Sequence, residues 1–181
     1  MRSIFTFIII FLVCNLSEAQ HTERFEQIVS GRLPSRTEVV DIKFKNGVQK
    51  ELGTLAVYDF ENYEYVFNVG RWTKYYKNGQ VLTEAEYDKF GNPLVWKLYD
   101  GKGNLLRESK ALKIDTDVKE FKKFLDDKNS VDILTLEKHY KYTYKACKWF
   151  LSDEGQMLNY KKTGEWIKYL DEGKIKKVVK H

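Results

Sequence analysis

The sequence predicts a mainly β protein in which successive antiparallel β-hairpin repeats join into one elongated, twisted sheet, with one short amphipathic helix inserted. Three observations carry this. The phrase Trp-x-x-Tyr-x-x-x-Gly occurs at Trp72, Trp96 and Trp166, each time followed two residues after the glycine by an aliphatic residue, Val81, Leu105 or Ile175. A phrase that returns in this way marks a repeat architecture. Asn-Gly at 46–47 and 78–79 is the strongest short hairpin signal. From Thr37 onward, aromatic and β-branched residues alternate with polar ones through most segments, as half-buried strands require.

The first 19 residues read as a cleaved signal peptide. Arg2 is the positive n-region, Ile4 to Val13 the apolar core, and Ser17-Glu18-Ala19 a small-x-small cleavage site ahead of Gln20. The apolar run is short for a permanent anchor. Acylation of Cys14 does not fit Phe11-Leu12-Val13, which lacks the small residue usual before a lipoprotein cysteine. The expectation is export to the periplasm or the extracellular space. Residues 20–36 then form an N-terminal arm with a short candidate helix carrying Phe25, Ile28 and Val29, either docked or without structure of its own, and 37–181 form the repeat domain.

In the clearest repeat, a type I′ turn at Asn78-Gly79 sets Tyr76 against Val81, Lys74 against Thr83, Trp72 against Ala85 and Gly70 against Tyr87. The opposite face then pairs Tyr75 with Leu82, Thr73 with Glu84 and Arg71 with Glu86. The Trp side, large beside small, is the better core candidate. A β-branched residue at Gly79 should cost more than one at Gly103. Upstream, EVVDIKF, the turn at Asn46-Gly47 and VQKELGTLAVYDF make a degenerate first hairpin, followed by two short strands around Glu61-Asn62.

The interruption after the second repeat reads as a helix over about 115–128, started by Asp115-Thr116-Asp117, striped by Val118, Phe121, Phe124 and Leu125, and packed on the sheet. Strand alternation then resumes through His139, Tyr140, Tyr142 and Tyr144, and Trp149 with Gly155-Gln156-Met157 reads as another degenerate repeat. Cys147, the one cysteine past the signal peptide, is expected as a small buried hydrophobe.

These residues resemble the bacterial variant of the MORN repeat family, whose members include antitoxin-component-like proteins. The likeness lies in Gly70, Trp72, Tyr75, Tyr76, Asn78 and Gly79, then Trp96, Tyr99 and Gly103, then Gly164, Trp166, Tyr169 and Gly173. The resemblance implies hairpins that add one to the next in a single sheet.

Composition bounds the function. A net charge of +5 with lysines and acids interspersed gives no nucleic-acid stripe. The 3 histidines, His21, His139 and His181, are thinly spread, and no G-x-S-x-G or S-x-x-K is present. Glu137 and His139 read as a surface pair. The expectation is therefore no catalytic residue, no metal and no cofactor: a non-enzymatic module that binds a protein partner through its repeat sheet. The 12 tyrosines exceed what such a sheet can cover. The alternative is an envelope protein that takes glycan or lipid headgroups, with Tyr63, Tyr65, Lys74, Tyr75 and Lys77 as candidate binding residues. Edge pairing into a homodimer is also open to such a sheet.

Overall fold

The computed structural model describes residues 20–127 and 130–181, so the signal peptide, Cys14 and the predicted helical residue Lys128 lie outside the described residues. Short β1 (Gln20–His21) leads into α1 (Glu23–Val29). Six strands follow: β2 (Arg36–Lys43), β3 (Gln49–Phe60), β4 (Tyr63–Tyr75), β5 (Val81–Tyr87), β6 (Pro93–Tyr99) and β7 (Leu105–Asp115). Helix α2 (Phe121–Asp126) precedes β8 (Asp132–Thr143), β9 (Lys148–Leu158), β10 (Lys161–Tyr169) and β11 (Ile175–Lys180). Strands β2 to β11 lie in chain order in one open sheet, each antiparallel to the next, and β1 pairs parallel with β7. Such consecutive pairing is what hairpin repeats produce.

One turn recurs along the sheet. Gly47, Gly79, Gly91, Gly103 and Gly173 all sit at φ between 81° and 86°. At each, the glycine amide donates to the carbonyl three residues back, as from Gly79 to Tyr76, and the Tyr76 amide donates to Gln80. This is a three-residue loop closed by a glycine bulge. The type I′ expectation is corrected, because Asn78 does not take positive φ and instead caps the Gln80 amide with its side-chain oxygen. The register therefore slips at the turn: Tyr75, not Tyr76, lies opposite Val81. Beyond it Lys74–Thr83, Thr73–Glu84, Trp72–Ala85, Arg71–Glu86 and Gly70–Tyr87 pair as expected. The contrast expected between Gly79 and Gly103 has no basis, since both have φ +86°.

Strands β3 and β4 are long and continuous rather than short pieces. Gly70, at φ +61°, absorbs a bulge between the pairs Thr54–Val69 and Leu52–Thr73, so β4 runs unbroken into the repeat. Gly155 is not a turn either; it lies inside β9, opposite Trp166.

The arm is docked. Phe25 and Val29 of α1 are buried with Ala56, Tyr58, Phe90, Ala111, Ile114 and the α2 residues Phe121, Phe124 and Leu125. The α2 stripe matches the expectation, and Val118 packs against it, but the helix begins at Phe121. Asp115 ends β7 and binds the arm instead of capping α2: it accepts from Thr22 Oγ1 at 2.6 Å and pairs with Arg24 and with Lys113. Cys147 is exposed in the β8–β9 turn at φ +47°, a correction to its expected burial. No helix among the described residues is long and apolar enough to cross a membrane.

Candidate functional site

A single row of cross-strand neighbours spans most of the sheet: Trp72, Ala85, Trp96, Ser109, Glu137, Gly155, Trp166 and Val179. The large residues stand on β4, β6 and β10, and the strand before each supplies a small one. Trp96 follows Ala85 and Trp166 follows Gly155, while the Trp72 ring lies over Gly53. Each outer indole is tied down, Trp72 Nε1 donating to Thr54 O and Trp166 Nε1 to Gln156 O, both at 2.9 Å.

On β8 the place of the tryptophan is taken by Glu137, opposite the small Ser109 and followed at the repeat offset by Tyr140. The fourth repeat is thus Glu137-x-x-Tyr140, and Trp149 is not its marker. In the sequence this copy is hidden by the loss of its tryptophan, and the one surviving signal is Glu-x-x-Tyr on an alternating strand.

Glu137 is 3% exposed. Its carboxylate accepts from Arg107 Nε at 2.8 Å and from Thr135 Oγ1 at 3.0 Å, and the Arg107 guanidinium also lies 5.7 Å from the Trp96 ring. A buried carboxylate needs such partners. His139 lies on the same face and bonds Asp153 through Nδ1 at 2.9 Å, with Nε2 buried and unpartnered beside Trp166. Burial pushes the Asp153 carboxyl up, but the Ser152 hydroxyl and the His139 ring outweigh it and hold the group below its ordinary value. The expected surface pair of Glu137 and His139 is corrected: they share a face, and each binds across strands to a different partner.

This cluster resembles a hydrolytic triad in composition only. The single Ser152 hydroxyl proton has Asp153 Oδ2 at 2.8 Å and the His139 backbone carbonyl at 3.1 Å as its acceptors, not the imidazole. A nucleophile must reach its base, and here it does not. Among the described residues no group of three or more His, Cys, Asp or Glu is placed to hold a metal ion.

The other face carries a second regular device. Tyr99 donates to Glu84, Tyr140 to Glu108 and Tyr169 to Glu154, in each case one strand back from the tyrosine. Burial first, then the carboxylate bond, pushes Tyr99 and Tyr140 up to about 12. Tyr169 is raised chiefly by its bond to Glu154. Tyr75 stands at the same offset in the first copy, but Leu52 lies opposite Thr73 where the other copies place glutamate. These repeat tyrosines are therefore cross-strand pairs rather than a free stacking row.

The five candidate binding residues fall into two groups at opposite ends of β4. Tyr65 donates to Asp126 of α2, and Lys122 lies 5.2 Å from the Tyr63 ring. Lys74 pairs with Glu51 at 3.1 Å near the turn end, where Tyr75 and Lys77 also lie. There, Asn46 donates to Lys77 O and Asn78 to Gly101 O, stitching neighbouring turns together. The structure does not bring the five into one site.

Exposed apolar side chains are spread over the sheet, among them Leu52, Val66 and Leu158 on inner strands, and both outermost strands carry two. Val39 and Ile42 project from β2, at 78% and 44% exposure. Ile175 and Val178 project from β11, at 60% and 48%. Both strands lie at the ends of the sheet order, with no further strand beyond them among the described residues.

The fold and surface define a class, an open hairpin-repeat sheet with two unpaired edges. Comparison with protein-family models, curated proteins and solved structures finds no match to this chain.

Proposed function

We propose that this chain is a non-catalytic, exported interaction module of MORN-like hairpin repeats, which binds protein by strand addition at its sheet edges. The observation that carries the reading is that exposed apolar side chains and unpaired backbone coincide on β2 and β11. Edge strands are usually short, bulged away or covered, because an open ladder recruits other chains. An eight-residue β2 with Val39 almost fully exposed is left available. In strand addition the main chain supplies affinity and the alternate side chains supply choice. The Tyr–Glu bonds and the cross-strand Trp row, buried at Trp72 and Trp166, stiffen the sheet, so an edge is presented without a large ordering cost.

The test is capture from the cell envelope with the native protein and with edge-blocked forms. Val39→Pro and Val178→Pro remove one outward amide each, whereas Tyr63→Ala and Lys77→Ala alter the surface elsewhere. The reading expects a protein partner that is lost with one of the proline variants and kept with both alanine variants. A partner that ignores both prolines, or recovery of soluble glycan or lipid alone, contradicts it.

A further inference from the structure

The two edges of the sheet fit one another. We propose that the protein taking up each free edge is a second copy of this chain, with β11 of one molecule adding to β2 of the next in a head-to-tail array. This rests on the strand-addition reading above and names its partner.

The direction is right without adjustment. Every neighbouring pair from β2 to β11 is antiparallel, so these two strands run in opposite senses, and a copy that continues the sheet meets its neighbour antiparallel. The backbone fits too. Phe44 bonds inward across its turn to Val48, so alternate residues Ile42, Val40 and Glu38 point their amides toward β3 and leave those of Val39 and Thr37 outward. The His181 amide bonds inward to Gly164, which leaves Lys180 and Val178 outward.

Setting Val39 opposite Val178 joins outward residues to outward residues. It places Thr37 opposite Lys180, brings Ile42 level with Ile175, and draws the basic stretch Lys176-Lys177 alongside Asp41. All of these are half or fully exposed in the single chain. Opposite charges and apolar pairs across a ladder are both favourable.

The same-edge alternatives fit worse. Two β11 strands with Val178 opposite itself set Lys176 against Lys180 at both ends of the pair, which like charge disfavours. Two β2 strands with Val39 opposite itself put Thr37 against Asp41 and join no opposite charges. A contact between two different surfaces of one molecule does not close at the dimer unless rotation closes a ring.

The experiment is sedimentation velocity of the purified protein from about 1 to 500 μM, across the range of transient association. The expected result is an average mass that keeps rising past the dimer. Asp41→Lys alone and Lys176→Asp with Lys177→Asp should each weaken association at least tenfold, and the combined variant should restore it. A second measurement does not depend on those charges. In a Cys147→Ser background, Val39→Cys and Val178→Cys proteins are mixed under mild oxidant, and the expected product is the mixed disulfide in excess over either homodimer. A mass fixed at the monomer, a plateau at the dimer held by one homodimeric disulfide, or charge variants without effect would each overturn the proposal. If the mass stays monomeric while proline at Val39 or Val178 still abolishes envelope capture, strand addition stands and the partner is a different protein.

Discussion

Replacing Gly155 by alanine gives the sharpest test of the packing described for the Trp row. Gly155 does not occupy positive φ, so backbone entropy alone predicts a gain of about 0.4–1 kcal/mol on adding a methyl group. The packing predicts the opposite. A Cβ built on Gly155 falls 2.5 Å from Cγ and Cδ2 of Trp166 and 2.6 Å from Cδ1. The ring is fully buried, bonded through Nε1 to Gln156 O and covered by Lys162 at 3.6 Å. To restore an ordinary contact it must move by about 1 Å, which overpacking costs put at about 1–3 kcal/mol. Loss of the indole bond adds about 1 kcal/mol. The net is a loss of roughly 2–3 kcal/mol, equivalent to a fall in Tm of about 5–10 °C for a domain of this size. Thermal unfolding by circular dichroism reads it, and Trp166→Leu in the same background should recover part of the loss, as coupled neighbours do. An unchanged or raised Tm for Gly155→Ala refutes the packing.

Three further outcomes follow from the polar contacts. Glu137→Ala leaves Thr135 and Arg107 without their shared acceptor, and urea unfolding should show a loss of about 2–3 kcal/mol, since breaking one side of a buried pair costs more than the pair supplies; a loss under about 0.5 kcal/mol contradicts the role given to Glu137. The Asp115 carboxyl is held well below the usual range, first by Thr22 and then by Lys113 and Arg24. Its contribution is present above about pH 4 and is lost as pH falls through the depressed value, so Asp115→Asn should flatten the acid limb of Tm against pH, and an unaltered limb counts against that contact tying down the arm. Tyr99 and Tyr140, pushed up to about 12, keep their protons in the folded state beyond the ordinary value near 10. Their contribution is present below that ordinary value and fades as pH climbs through about 12, and Glu84→Gln should bring the Tyr99 titration down when followed by ultraviolet absorbance.

Much of the architecture was legible because hairpin chemistry is local. Asn46-Gly47 and Asn78-Gly79 located two turns, and the Trp-Tyr-Gly spacing located the strands around Trp72, Trp96 and Trp166. What failed was one level finer. The same Asn-Gly pair serves a two-residue turn or a three-residue loop with a bulge, and only the backbone of Asn78 decides between them. The arm gave its helix through Phe25, Ile28 and Val29, but not that Asp115, ninety residues on, would hold it.

The polar cluster was illegible for a different reason. Glu137 and His139 look like ordinary surface residues on an alternating strand, and the burial of Glu137 and the bonding of His139 depend on Arg107 and Asp153, brought in by strands on either side. A repeat pattern searched by its aromatic cannot show a copy whose aromatic has been replaced. The binding candidates failed in the converse way: Tyr63, Tyr65, Lys74, Tyr75 and Lys77 lie close in sequence, but an extended strand carries its ends far apart.

Backbone hydrogen exchange, recorded on the protein alone and at a concentration or with a partner that saturates binding, tests the edge claim most directly. The account predicts that amides at Thr37 and Val39 of β2, or at Val178 and Lys180 of β11, slow on association, while the turns at 76–80 and 100–104 keep their rates. Protection confined to the faces or to the turn end, with both edge strands exchanging as before, would contradict it.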